Sequence, residues 1–426
     1  MTKIGWVDFN ENDRRKAIEF IKTIQGQGSV DEFGYGTIRD RFSDIFFPGT
    51  STIQTRAKYF LIVPKILEEL EETVTRQKQR LSRNELIEKL HKEEFYCAYT
   101  MLNNEEINER DHSMIIGNKN LLDKEKNVSK DYSLWVKRNP SEIYWSGIKT
   151  FEIFNQPISL SGFINRILYV HPQDYDYEKD NKKSSELIEN NGSSFELPEY
   201  DNNWKETLKI SLTPEEAEFL KGKIIKTQTH SLLGYMLTHD EIYTESFNTK
   251  DFQSFCSYLN KNIKIDDELL STIELANSFN NFLLPIRYFY NYLITRKDDK
   301  KYEDIRNQWM KRINTLEEVA HKCELKAIFA KFADINKPID GKTKEFFINV
   351  QKIFLNNEKL NQPEIEKKLT DILSEREKFL KGENRSKIIN KIPIDTATDE
   401  IHLLDYRFRH AWQLVYDIYC GLNEKK

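Results

Sequence analysis

The sequence predicts a mainly α protein: a multi-helical globular chain with at most a few short strands. Apolar residues recur at helical spacing through most of its length, strand-type alternation is rare, and capping residues precede several periodic runs. A hydrophobic content of 38%, with 12% aromatic residues, is enough for a packed interior. The length of 426 residues implies two or three domains, since roughly 100–200 residues make up a typical one.

Asp8 or Asn10 can cap a first helix from Glu11, with Ala17, Ile18, Ile21 and Ile24 on its apolar face and Gly26 as its stop. After a turn at Gly34 and Gly36, Ile38, Phe42, Ile45 and Phe46 repeat at helical spacing. Pro48-Gly49 forms a tight turn, and Thr50 or Ser51 caps a helix presenting Ile53, Ala57, Phe60 and Leu61 on one side. Pro64 removes a backbone donor and should kink or interrupt it. Arg76 to Lys92 is a basic amphipathic stretch, and the helical pattern continues from Phe95 to Leu102. Lys119 to Ser133 reads as a polar loop, and Pro140 to Ile153 as a compact apolar helix ending in a turn. Ile158 to Phe163 is a short strand or a cap before a helix through Ile167. Thr213-Pro214-Glu215-Glu216 has the pattern of a capping box with proline at the first helical position. From there helical periodicity runs to Leu422, broken at Asn336 to Gly341 and Gly382 to Pro393, and Phe279 to Ile294 reads as a buried helix pair divided at Pro285.

Residues 174–206 are rich in Asp, Asn, Ser and Lys, with ten acidic and four basic side chains. The expected organisation is a helical domain over 1–173, an acidic linker over 174–206 and a second helical domain over 207–426. Without that linker the chain carries 60 basic and 59 acidic residues, so the overall charge of −5 does not exclude an anionic partner.

No signal-peptide pattern opens the chain and no apolar run reaches the length of about 18 residues that a membrane helix needs. The expectation is a cytoplasmic protein with no membrane partner. Cys97, Cys256, Cys323 and Cys420 lack paired spacing, which fits reduced core thiols better than a zinc site or disulfide framework. No phosphate-binding glycine loop, nucleophile elbow or His-Glu-x-x-His helix occurs. His239-Asp240 and the pair His402/His410 match no metal-binding spacing and read as surface or capping histidines, so no cofactor and no metal is expected.

Three segments offer chemistry. Asp40 and Asp44, four apart on one helical face, can share a divalent cation or pair with Arg39 and Arg41. The turn Thr50-Ser51-Thr52 with Gln54, Arg56 and Lys58 can hold a DNA phosphate, or Arg56 can pair with Asp40 or Asp44 while the hydroxyls only cap. Lys137 and Arg138 beside Tyr144 and Trp145 suit a nucleic-acid strand, although Tyr144, Trp145, Ile148 and Phe151 have the spacing of a core face.

Several motifs recur together: Trp6-Val7-Asp8-Phe9, the Gly34 to Asp40 element, Phe47-Pro48-Gly49-Thr50-Ser51-Thr52-Ile53-Gln54-Thr55-Arg56-Ala57-Lys58-Tyr59-Phe60, Pro140 to Ile148, and Leu404-Asp405-Tyr406-Arg407. In this the whole chain resembles a bacterial and archaeal family of domains of unknown function. One departure is visible: the family pattern continues into Trp-Gly-Ile where this chain has Phe151-Glu152-Ile153. The resemblance assigns no catalytic residue. It implies a context, since such proteins look like components of antiphage defence gene clusters encoded beside helicases and phospholipase-D-type nucleases.

The expectation is a non-catalytic subunit of a bacterial antiviral system that binds DNA or bridges DNA to a helicase or nuclease partner. Its expected contacts are Arg39, Thr52, Gln54, Arg56 and Lys58, followed by Arg138 and Tyr144. Two alternatives stay open: a metal-dependent nuclease using Asp40 and Asp44, and a structural adaptor whose acidic 174–206 loop docks a basic surface.

Overall fold

A computed structural model describes residues 33–76, 81–104, 108–123, 125, 127–169, 194–239, 251–295, 297, 299–356, 359–390 and 401–423. The expected first helix, from Glu11, and the expected opening motif lie outside them. In chain order the helices are α1 (Gly36–Phe46), α2 (Tyr59–Arg76), α3 (Arg83–Leu102), α4 (Glu109–Ser113), α5 (Asn118–Leu121), α6 (Pro140–Thr150), α7 (Leu160–Tyr169), α8 (Pro214–Thr227) and α9 (Leu232–Thr238). They continue with α10 (Phe252–Asn262), α11 (Asp267–Ile294), α12 (Tyr302–Ile313), α13 (Leu316–Lys322), α14 (Leu325–Asp334), α15 (Gly341–Leu355), α16 (Gln362–Lys381), α17 (Lys387–Asn390) and α18 (Phe408–Asn423). Among the described residues the only β pairing is two isolated bridges, Leu122 with Val128 and Phe154 with Phe195. The mainly α expectation holds.

The chain forms two compact units, one of residues 42–273 with 405–426 and the other of residues up to 41 with 274–404. This partition differs from the expected 1–173 and 207–426 domains. Residues 174–193 lie outside the described part, but 194–206 pack within the first unit rather than acting as a linker. Phe195 is buried in an aromatic cluster with Trp145, Phe154 and Phe163, and Trp204 is buried as well. Burying those rings outweighs the polar character of the surrounding sequence.

Local signals fix several helices. Ser82 and Glu85 close a capping box on α3, which therefore starts afresh rather than continuing the run from Arg76. Thr213 accepts from the Glu216 N–H and Glu216 accepts from the Thr213 N–H, as the sequence predicts for α8. Neither proline interrupts its helix: α2 runs through Pro64, and α11 is one 28-residue helix through Pro285 rather than the expected helix pair. Both prolines are buried, and so are most of their neighbours, so packing outweighs the lost hydrogen bond.

The first unit packs Phe42 and Phe46 of α1 against Phe252 and Tyr406. The second unit packs Phe289 on Trp309, Phe279 on Phe347 and Phe282 on Phe354. In that unit Tyr290 donates to the fully buried Glu377, which also accepts from Lys381 and Ser386.

Two signature glycines from distant motifs meet in the first unit. A Cβ on Gly147 would lie 2.4 Å from the Gly49 carbonyl oxygen, and Gly49 itself adopts φ +77° against the Phe151 ring. In the turn that follows α6, Glu152 occupies φ +52°, a left-handed conformation that favours glycine. Changing Glu152→Gly should therefore raise stability by up to about 1 kcal/mol in chemical denaturation. A loss of stability would contradict that account of the turn.

Candidate functional site

The segment after Pro48-Gly49 is not the helix its sequence suggests. Thr50 to Lys58 form an irregular strap, and α2 begins only at Tyr59. Side chains replace the helical ladder. Gln54 accepts from the Ser51 N–H at 3.0 Å and donates to the Gly49 carbonyl at 3.1 Å. The Tyr144 hydroxyl accepts from the Thr55 N–H at 2.7 Å and the Arg56 N–H at 3.1 Å, and donates to the Arg56 carbonyl. Asp417 of α18 accepts from the Ala57 N–H at 2.7 Å. Backbone donors served this way have no need of a helix.

The outward-facing Arg56 and Lys58 expected from sequence are inside the unit. Arg56 is 6% exposed, donating through Nε to Asp417 at 2.9 Å and through Nη1 to Asp111 of α4. Burial alone would lower the guanidinium pKa, but the Asp417 and Asp111 carboxylates hold it above its ordinary value. Lys58 is 4% exposed and donates to both carboxylate oxygens of Glu216. Glu216 also accepts from Tyr200. Taking an ammonium and a guanidinium out of water is sustained only because each meets a carboxylate with its remaining oxygens bonded. The expected partners of Arg56, Asp40 and Asp44, are replaced by Asp111 and Asp417.

The remaining expected contacts divide. Tyr144 is fully buried, resolving its two readings in favour of the core, and burial pushes its hydroxyl pKa up to about 12. Gln54 is half-buried and committed to its own loop. Arg39 is half-exposed and pairs with Asp40 at 3.0 Å. Thr52 and Arg138 are exposed. Asp44 accepts from Arg407 at 2.8 Å, and Arg407 also donates to the Thr50 carbonyl. Among the described residues no three His, Cys, Asp or Glu side chains come together to hold a metal ion. Cys97, Cys256 and Cys323 are buried free thiols, and Cys420 is exposed.

The buried arginine has a surface consequence. Its partner Asp111 is followed back along α4 by Arg110, whose exposed guanidinium sits 5.1 Å from the Tyr416 ring centre and 6.0 Å from that of Trp412. Trp412 and Tyr416, one helical turn apart on α18, stack at 5.2 Å with their planes 13° apart. Arg110 also donates to Gln413 at 2.9 Å, and Gln413 donates to Asp417 at 2.8 Å. Arg56, Asp111, Asp417, Gln413 and Arg110 thus form one network that seats α4 against α18. Half-buried Trp412 and Tyr416 follow exposed Arg409, and His410 lies against the backbone of exposed Thr52. The result is a partly exposed face of two stacked rings under one guanidinium with a second arginine nearby. It suits a flat π system carrying negative charge. The sequence signal for it was an aromatic pair at i, i+4 behind an arginine. Nothing local connects Arg110 to the pair, which lies 302 residues further along the chain from it at Trp412.

A second buried polar group lies between α3 and α6. Glu94 is 2% exposed, with Oε1 accepting from the Ser141 N–H at 2.6 Å and Oε2 enclosed without a partner. Among the described residues no cation pairs with it, and burial pushes its carboxyl up to about 8.

No helix among the described residues is long and apolar enough to cross a membrane. No curated protein and no solved structure matches the chain. A family model matches residues 1–415, and the chain belongs to the family of unknown function DUF6361.

Proposed function

We propose that the protein is a non-catalytic, nucleic-acid-binding subunit of a bacterial antiviral defence system that holds DNA for a helicase or phospholipase-D-type nuclease partner. The context rests on the signature motifs and the gene clusters they imply. The contact rests on one observation: Arg110 held over the stacked Trp412 and Tyr416. Stacked rings receive bases without regard to sequence, and guanidinium groups neutralise phosphates. Arg56 and Arg110 together balance Asp111 and Asp417, and the exposed Arg110 guanidinium is the group of the four that a phosphate can reach. Arg409 and Thr52 extend the face. The signature residues brace this surface rather than form it.

The test is fluorescence anisotropy of labelled single-stranded and duplex oligonucleotides across a salt series. Single strands should bind more tightly, with log affinity falling linearly as log salt rises. Trp412→Ala should weaken single-strand binding by about tenfold, the order expected for losing one stacked base. Absence of binding at low salt, or binding indifferent to both Trp412→Ala and Arg110→Ala, would overturn the proposal.

A further inference from the structure

A cavity of about 290 Å³ lies where α15 ends and α16 begins, in the unit that does not carry the DNA face. Its lining is Lys352, Ile353, Asn356, Lys359, Leu360 and Lys368. The Asn356 side chain donates to the Lys352 carbonyl at 2.7 Å, closing the last turn of α15, and the Lys359 N–H donates to the Asn356 carbonyl at 3.0 Å. These bonds hold Lys359 against the end of α15. Lysines from the last turn of α15, from the connection and from the second turn of α16 thus surround one hollow.

The hollow is positive without a counter-charge. Among the described residues no carboxylate lines it, and Lys352, Lys359 and Lys368 form no ion pair. Lys352 has a neutral contact, a long donation to the Asn349 Oδ1 at 3.4 Å. Other exposed lysines of the same unit are matched: Lys322 with Glu318, Lys342 with Glu345 and Lys378 with Glu383. Glu364 and Asp371 flank Lys368 on α16, but neither lines the cavity, and Glu364 accepts from the Asn361 N–H as part of the α16 cap. The negative end of the α15 dipole accounts for Lys352 in its last turn. It does not account for two more ammonium groups around the same hollow, whose mutual repulsion an anion would relieve. Buried Ile353 and half-buried Leu360 give the hollow a low-dielectric wall, which concentrates the field inside it.

We infer that this hollow binds a phosphate chain, the triphosphate group of a nucleotide or of a free polyphosphate. Lysine serves phosphate oxygens as a point charge, whereas a carboxylate is matched by the planar arginine fork, and no arginine lines the cavity among the described residues. Three ammonium groups on separate elements can each meet a different phosphate of a chain, which a lone sulfate-sized anion does not offer. The volume is just below the roughly 300–1,000 Å³ of pockets that enclose a drug-sized ligand, so the chain rather than an attached nucleoside fills it.

Isothermal titration calorimetry of the full chain with sodium triphosphate, ATP, pyrophosphate and sulfate, in magnesium-free buffer of low ionic strength, tests the inference. Triphosphate and ATP should bind at one site, pyrophosphate should bind more weakly, and sulfate should give no measurable heat. The tighter of triphosphate and ATP names the source of the chain, free polyphosphate or nucleotide. Changing Lys352→Gln, Lys359→Gln and Lys368→Gln together should weaken triphosphate by at least about tenfold without lowering the melting temperature, since all three side chains are exposed. A control triple of Lys322→Gln, Lys342→Gln and Lys378→Gln removes the same charge from the same unit and should change the affinity by less than about threefold. The inference is overturned by absence of triphosphate binding at millimolar concentration, by sulfate binding as tightly as triphosphate, or by a control triple that matches the site triple. Single-strand affinity of the site triple should equal that of the wild type, and its loss would assign these lysines to DNA and overturn the inference as well. The DNA face is tested by its own variants, so either site can fail alone.

Discussion

Arg56→Ala is expected to destabilise the unit of residues 42–273 and 405–426 by about 3–5 kcal/mol, the range for leaving a buried charge without its partner. Asp417 is 3% exposed and would keep only the Ala57 N–H and the Gln413 amide. Asp111 would lose its hold on the strap, and α4 its tie to α18. Since whole domains are stable by only about 5–15 kcal/mol, this is a large share of the total. Urea denaturation followed by tryptophan fluorescence reports on it, because Trp135, Trp145, Trp204 and Trp412 all belong to this unit. Arg56→Lys should fall between wild type and alanine, since a single ammonium cannot reproduce the fork that reaches both carboxylates. The double change Arg56→Met with Asp417→Leu should recover much of the loss, because removing both charges leaves neither stranded. A loss under about 1 kcal/mol for Arg56→Ala, the magnitude of a surface pair, would show that the arginine is solvated.

The second large effect is a pH dependence. The Glu94 carboxyl has an ordinary value of 4.5 and is pushed up to about 8 in the folded chain, chiefly by burial. Between those values the folded chain holds a proton that the unfolded chain has released. Its contribution to stability is therefore fully present below about pH 4.5 and is lost as pH rises through about 8. Glu94→Gln keeps a carbonyl for the Ser141 N–H and cannot ionise. Relative to wild type it should gain stability steadily from pH 5 to pH 8.5, by a few kcal/mol at the upper end. Thermal melts of both proteins across that range check the sign. Parallel profiles would mean that Glu94 ionises in the fold as it does in water.

What the sequence revealed and what it hid follow from the range of the interactions. The α1 periodicity, the Thr213-Pro214-Glu216 box and the α6 helix behind Pro140 are each decided within four residues, and they form as the pattern predicts. The strap from Thr50 to Lys58 is decided by Tyr144, Glu216 and Asp417, between 88 and 361 residues away from the Arg56 and Lys58 groups they hold. No window on the local sequence contains that information. Ile53 shows the result: placed on an apolar face by spacing, it is 37% exposed on the turn. The two buried pairs were equally hidden. A basic residue beside hydroxyls has the same local pattern whether it faces a phosphate or a carboxylate, and only the tertiary partner decides. Pro64 and Pro285 lie inside continuous helices because the lost hydrogen bond is local, while the burial that overrides it is not. Glu152 runs the other way: a glutamate gives no local sign of a left-handed turn, yet it sits there at positive φ.

The central claim is that nucleic acid lies across the Arg110–Trp412–Tyr416 face while the signature arginine works from beneath it. Ultraviolet crosslinking of a single-stranded oligonucleotide to the full chain, followed by mass spectrometry of the modified peptides, tests this most directly. The account predicts adducts on the α18 peptide at Trp412 or Tyr416 and their loss in Arg110→Ala. Adducts confined to other peptides, with α18 unmodified, would contradict it.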